Sequence, residues 1–285
     1  MPELPEIDHL LRSLEPALLG SVVRRVSLTR PDIVRCSLSR TRRPEPRVRR
    51  SSLLMGEQIE RLHRHGKELA IVSRGGASVC VHLGMSGQLW HCPPGERLRR
   101  RDHVHCVWHL GNRGRLVFRD PRRFGGLWCY ASLDDLIEVR WSRLGPDALR
   151  IETRVLRQLL AGSRRSIKAT LLDQRVVAGI GNIYADEILF AAGIHPQSVA
   201  SQLPPDRCRR LASEIRRILA EAVGLGGSTI RDYVDGLGAV GSYTQRHRVY
   251  GRAGEPCTVC GQPLGGLIEA QRATVLCDGC QELFL

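Results

Sequence analysis

The chain has 285 residues, with 43 Lys and Arg against 29 Asp and Glu, a formal net charge of +14. Its length allows roughly two domains, and 42% apolar with 25% charged residues excludes a mostly disordered chain. No apolar run reaches the ~20 residues of a membrane span, and a start with Glu3 and Glu6 and no basic segment is unlike a secretory signal. A soluble, cytoplasmic protein is expected. The 43 basic residues comprise 41 Arg and two Lys, Lys67 and Lys168. Residues 1–150 hold 27 basic and 16 acidic residues, so the excess lies in the first half. Two readings of it stand: a polyanionic partner, and an Arg-rich composition carried on a solvated surface.

In chain order, residues 4–20 open on a helical pattern. Pro5 suits a first turn, Ile7, Leu10, Leu11, Leu14 and Leu18 recur at spacings of three and four, and Gly20 is a stop. From Val22 to about Tyr130, short apolar stretches alternate with turn residues (Leu69–Val72, Val79–Leu83, Val104–Leu110, Leu116–Phe118). That rhythm predicts an antiparallel sandwich. The Arg-rich runs Arg40–Arg50 and Arg97–Arg101 read as solvated loops. The pattern loosens at 132–146, where a boundary is expected. Helices are predicted at Thr153–Leu160, from Lys168 to Leu172, at Asn182–Ala192 and at Pro205–Val223, and Gly224, Gly226 and Gly227 end the last. The Gly-rich stretch 226–243 is a candidate mobile loop.

The tail carries Cys257-x2-Cys260 and, after 16 residues, Cys277-x2-Cys280. Two such knuckles supply four thiolates in the tetrahedral set of a structural Zn2+ site. Two disulfides are disfavoured by the expected compartment. With four Cys the site is closed, so its role is structural, and a short tail with few apolar residues needs such a staple. His103, His105 and His109 alternate onto one strand face; ordinary sheet residues are the preferred reading.

At the other end, Pro2 is followed by Glu3 and Glu6. Initiator methionine is normally removed before proline, which exposes a secondary amine. A terminal amine titrates nearer neutrality than lysine and can attack an aldehyde-like carbon to form an iminium. The helix start turns its amides toward the same place. The plain alternative is that Pro and Glu are simply good helix-start residues.

Five motifs together carry a resemblance. Met1-Pro-Glu-Leu-Pro-Glu-Ile7, His82-Leu-Gly-Met-Ser-Gly87, Asp120-Pro-Arg-Arg-Phe-Gly125, Gly179-Ile-Gly-Asn-Ile-Tyr-Ala185, and the four-Cys tail with Gln271-Arg272-Ala273 follow one another along the chain. In that order they resemble the formamidopyrimidine-DNA glycosylases of the Fpg/Nei family, over essentially the whole length. The resemblance implies a multidomain α+β fold. An N-terminal antiparallel β-sandwich with a leading helix (1–133) and a linker (134–150) precede a helix-two-turn-helix domain (151–244) whose capping loop is 226–243. A zinc finger (245–285) closes the chain. It implies a monomeric bacterial enzyme of base-excision repair acting on double-stranded DNA. That enzyme excises oxidised purines (8-oxoguanine, formamidopyrimidines) through a Pro2 imine and then cleaves the backbone by β,δ-elimination.

The resemblance also assigns roles. Glu3 is the acid/base carboxylate, Glu6 supports it, and Lys67 is the sandwich lysine associated with the lesion and its phosphates. Met85, Arg122 and Phe124 fill the stack vacated by a flipped nucleotide, with Arg122 facing the orphaned base. Lys168 is a DNA-contacting lysine at a helix start. Asn182 caps its helix and grips the backbone, Arg272 binds phosphates flanking the lesion, and His103 is a further DNA-binding candidate. The two lysines of an arginine-rich chain thus fall at positions where a compact ammonium is used. Endonuclease VIII-type relatives, which prefer oxidised pyrimidines, usually carry Gly where this chain has Leu4 and tend to lack the full void-filling trio. A pyrimidine-specific enzyme and a catalytically silent DNA-binding protein are the alternatives.

Overall fold

A computed structural model describes residues 2–36, 53–98, 102–228, 236–237 and 240–285. The Arg40–Arg50 run lies outside them, as do residues 99–101 of the second Arg-rich run and residues 229–235 and 238–239 of the Gly-rich stretch. Two compact units emerge: residues 1–143 with 226–241, and residues 144–225 with 242–285. The Gly-rich segment therefore groups with the first unit.

The first unit starts with helix α1 (Leu4–Leu18). Glu3 and Glu6 close a reciprocal capping box over its first turn, and Pro5 sits where a missing N–H costs nothing. Leu10, Leu14 and Leu18 are 0–1% exposed and merge with the sandwich core. Strands β1 (Val23–Leu28), β2 (Val34–Cys36), β3 (Ile59–His65), β4 (Glu68–Ser73) and β5 (Ser78–His82) follow, then β6 (Gln88–Cys92), β7 (Val104–Leu110), β8 (Arg115–Arg119) and β9 (Gly126–Tyr130). They form a four-stranded sheet, β1-β7-β8-β6, and a five-stranded sheet, β2-β9-β5-β4-β3. All pairs are antiparallel except β2 with β9, which is parallel and departs from the all-antiparallel expectation. Val26, Leu69, Ile71, Val79, Leu89, Trp108 and Phe118 fill the space between them.

The chain does not simply loosen after β9. Ser132 accepts the Asp135 N–H and caps a short helix, α2 (Leu133–Val139), which the weak apolar pattern hid. Described residues of the Gly-rich segment are tied down within this unit: Gly236 N–H donates to Ser13 Oγ (2.9 Å) and the His91 N–H donates to Gly236 O (2.8 Å).

The second unit contains α3 (Thr153–Ala161), α4 (Ile167–Leu172), α5 (Asn182–Ala192) and α6 (Pro205–Gly224). Helix α5 is buried nearly all round, Asp186 and Glu187 included, so its pattern reads as continuous rather than amphipathic. The tail adds a hairpin, β10 (Gly265–Glu269) and β11 (Arg272–Leu276). Phe190 of α5 packs with Val249, Leu264, Val275, Cys257 and Cys277. Among the described residues no helix is long and apolar enough to cross a membrane.

Candidate functional site

The first unit gathers three groups of predicted residues. At the chain start, Pro2 is buried, and Glu3 and Glu6 are 3% and 1% exposed. Such carboxylates must be held by donors. Glu6 Oε2 accepts the Glu3 N–H at 2.7 Å, and Glu6 Oε1 accepts the Ser228 N–H at 2.7 Å. Glycine is required beside it: Gly227 has φ +78, and a Cβ there would lie 2.5 Å from Glu6 Oε1. Helix start and Gly-rich segment are thereby locked through one carboxylate, a link the sequence motif does not announce.

Lys67 occupies the two-residue turn between β3 and β4, with Gly66 at φ +55 and His65 paired to Glu68. It is 7% exposed. The next residue, Glu68, is a buried acid that leads into the apolar run Leu69–Val72. Its carboxylate accepts two hydrogen bonds from Arg140 (2.6 and 2.8 Å), one from Trp141 Nε1 (3.0 Å) and one from Cys80 Sγ (3.4 Å). The Arg140 guanidinium also lies 3.7 Å from the Trp128 ring. Burial pushes the Cys80 thiol well up. Sequence reasoning missed this network; a charged residue inside Glu68–Ser73 was the available signal.

Met85 and Phe124 are 48% and 55% exposed, unusual for large apolar side chains, and the Arg122 guanidinium lies 4.7 Å from the Phe124 ring. Their two turns are joined by Asp120. Its Oδ1 accepts Ser86 Oγ–H (2.6 Å), its Oδ2 accepts the Gly125 N–H (2.8 Å), and Ser86 Oγ in turn accepts the Arg122 N–H (3.2 Å). A Cβ on Gly84 would sit 2.5 Å from Gly125 N, so the turns touch only because that residue is glycine. His103 is exposed at φ +57; its ring is 3.9 Å from Asp102 and its carbonyl accepts the Asp120 N–H (3.1 Å).

In the second unit the expected cap is corrected. Gly181, not Asn182, is the N-cap of α5. Asn182 is the first helical residue and spends its Nδ2 on Ala273 O (2.9 Å), while its Oδ1 is buried without a partner among the described residues. Arg272 is exposed and follows the Ala270–Gln271 turn of the β10–β11 hairpin, where both residues have positive φ (48 and 59).

Lys168 is also corrected. It is 0% exposed, and its Nζ donates to Asp186 Oδ1 (2.6 Å), Thr274 Oγ1 (2.6 Å) and Ala273 O (3.4 Å). An ammonium so enclosed is not presented to a DNA phosphate. Burial holds the Asp186 carboxyl up at about 6 against the pull of Lys168.

The Sγ atoms of Cys257, Cys260, Cys277 and Cys280 lie within 4.8 Å of one another, with Cys257–Cys280 at 3.9 Å and Cys260–Cys277 at 3.4 Å. Tetrahedral thiolates at ~2.3 Å from a zinc ion stand roughly 3.8 Å apart, so the set can hold such an ion. No other metal-like cluster occurs among the described residues, and the strand histidines are engaged elsewhere: His105 Nε2 meets Asp120 O at 2.8 Å, and His109 Nε2 meets Ser27 Oγ at 3.0 Å.

Residues 1–127 match the model of the formamidopyrimidine-DNA glycosylase N-terminal domain, and residues 144–234 match the formamidopyrimidine-DNA glycosylase H2TH domain. A curated formamidopyrimidine-DNA glycosylase of Shewanella halifaxensis is 38% identical, covering 99% of this chain and 100% of the relative. The MutM (Fpg) crystal structure from Thermus thermophilus superposes with TM-score 0.84 at 38% identity, over 98% of each chain. A Lactococcus lactis Fpg variant in complex with Fapy-dG-containing DNA gives TM-score 0.86 at 31% identity, over 99% of this chain and 100% of that one. Wild-type Lactococcus lactis Fpg has also been solved with DNA containing an oxidised pyrimidine, matching at TM-score 0.85 and 30% identity over 99% and 100% of the two chains.

Proposed function

The chain belongs to the formamidopyrimidine-DNA glycosylase family, and on that premise we propose that it excises oxidised purines from duplex DNA and then cleaves the abasic strand. The observation that carries this reading is the interlocked pair of buried carboxylates, Glu3 and Glu6, beside Pro2.

Once Met1 is removed, the Pro2 nitrogen is a secondary amine, and a terminal amine with a pKa near 8 is partly unprotonated at neutral pH. The nitrogen bonds to C1′, the bond from C1′ to the damaged base breaks, and the departing base takes up a proton. The sugar ring opens as Glu3 delivers a proton to the ring oxygen, and the amine loses its own proton, leaving an iminium between Pro2 and C1′. The iminium acidifies the C2′ proton. Its removal expels the 3′ phosphate, a second proton loss expels the 5′ phosphate, and water hydrolyses the iminium to free the enzyme. Glu6 fixes the Glu3 backbone, and Lys67, in the turn that precedes Glu68, lies beside the reacting sugar and its phosphates.

The flipped-out nucleotide leaves a gap that Met85 and Phe124 fill, while Arg122 hydrogen-bonds the orphaned cytosine. Asn182 and Arg272 take flanking phosphates, and His103 adds a further contact. The four cysteines would hold Zn2+, and that closed set would fix the tail that bears Arg272 rather than supply chemistry.

Leu4 and the complete Met85–Arg122–Phe124 trio favour purine lesions. Oxidised pyrimidines are the second reading, favoured by the Lactococcus lactis complex that contains one. Excision assays on defined lesions, each opposite each base, decide between them. Fastest release of 8-oxoguanine or formamidopyrimidine opposite cytosine is expected; faster release of an oxidised pyrimidine overturns the purine assignment.

A further inference from the structure

The two lysines of this chain do different work, and the fully enclosed one, Lys168, bears on Arg272. The Lys168 ammonium donates to Asp186 Oδ1, Thr274 Oγ1 and Ala273 O. Asp186 uses its second oxygen to accept the Val275 N–H (3.2 Å). Thr274 Oγ1 passes the chain on by donating to Arg272 O at 3.1 Å. A continuous hydrogen-bonded line therefore runs from α5 through Lys168 on α4 to the backbone of Arg272. Ser166 Oγ–H adds a bond to Glu269 Oε1 (2.6 Å), and Asn182 adds one to Ala273 O (2.9 Å).

The hairpin needs this support. A two-stranded hairpin is marginal alone, and its cysteines, Cys260 before β10 and Cys277 after β11, grip only the end away from the turn. Arg272 sits at the turn end. A compact ammonium can meet three acceptors inside a fully enclosed site, whereas a planar guanidinium cannot take that geometry. This gives a physical reason for one of the two lysines to persist among 41 arginines.

We propose that the buried Lys168–Asp186 pair is a positioning device: through Thr274 it sets the Arg272 backbone, and so determines where the Arg272 guanidinium meets a DNA phosphate. The proposal rests on the reading of Arg272 as a phosphate-binding residue.

The test measures affinity for a duplex with a tetrahydrofuran abasic analogue as a function of salt, in the full-length metal-loaded protein. Loss of one phosphate contact lowers the log–log salt slope by about 1. Arg272→Ala should weaken binding several-fold and lower the slope by that amount. Thr274→Val, which removes the relay oxygen without stranding a charge, should lower the slope in the same direction with Arg272 still present. Lys168→Met combined with Asp186→Leu, which removes both charges together, should do so fully, with four-cysteine metal content unchanged. Neither change should add to the effect of Arg272→Ala when combined with it.

An unaltered slope for Arg272→Ala overturns the phosphate reading itself. A lowered slope for Arg272→Ala alone, with wild-type slopes for Thr274→Val and the double variant, overturns the positioning role and leaves the phosphate reading standing. Additive losses overturn it as well, since the pair would then act elsewhere. If the double variant does not fold, Thr274→Val alone decides.

Discussion

The two ends of the chain reach positional accuracy by different physics. The start, Pro2–Glu6, is carried on a helix whose apolar face is part of a large sandwich core. The end, with Arg272, rests on four clustered cysteines, a small apolar patch around Phe190 and a line of buried polar bonds. Non-directional packing tolerates the loss of one partner in proportion to the volume removed. Directed bonds fail together when one member goes. The first region should weaken by degrees and the second abruptly.

The largest effect is expected where the directed set is broken at its hub. Structural zinc binding contributes apparent free energies on the order of 10 kcal/mol in small zinc modules. Cys257→Ser, or chelation, should unfold the tail and strip lesion binding while the sandwich keeps its own melting transition. Calorimetry alongside metal analysis checks this; near-normal lesion binding without metal would show that Arg272 is held some other way.

Next comes the packed region. Phe118 is 0% exposed at the centre of the sandwich. Phe118→Ala should cost about 3–5 kcal/mol of stability to urea, with metal content unchanged. A loss of metal in that variant would erase the contrast between the two regions.

Smaller is the effect at the exposed wedge. Arg122→Ala should lower discrimination among opposite bases by about 1–3 kcal/mol, while imine formation at a preformed abasic site stays near wild type. Competitive excision assays against each opposite base measure it.

Smallest is a surface ion pair. A hydrogen bond from Arg175, aided by Arg165, holds the Asp173 carboxyl down at about 2. A lowered carboxyl stabilises the fold above its unfolded pKa of about 4, and this contribution is lost as pH falls through about 2. Solvent around the exposed Arg175 reduces it to under about 1 kcal/mol. The stability gap between wild type and Asp173→Asn should narrow as the solution is acidified.

Much of this was legible in the sequence because periodic or spaced patterns carried it. Helix α5 runs over Asn182–Ala192 as its pattern predicts, and the paired CxxC motifs bring four sulfurs together. What escaped depended on partners distant in sequence. Nothing near Glu68 announces Arg140, 72 residues on, and nothing near Lys168 announces Thr274, 106 residues on. A lysine at a helix start reads locally as an exposed cation, and only the tertiary fold shows it enclosed. The capping role of Asn182 was misread for the same reason: its Ala273 partner belongs to the tail, 91 residues away.

The central claim is an iminium at Pro2, and the scarcity of lysine makes it unusually open to test. The amines of the processed chain are its N-terminus, Lys67 and Lys168. Borohydride reduction during turnover of an 8-oxoguanine:cytosine duplex, followed by peptide mapping of the adduct, distinguishes all three. A covalent DNA adduct on the Pro2 nitrogen of protein lacking Met1 is predicted; no adduct, or one on Lys67 or Lys168, contradicts the mechanism.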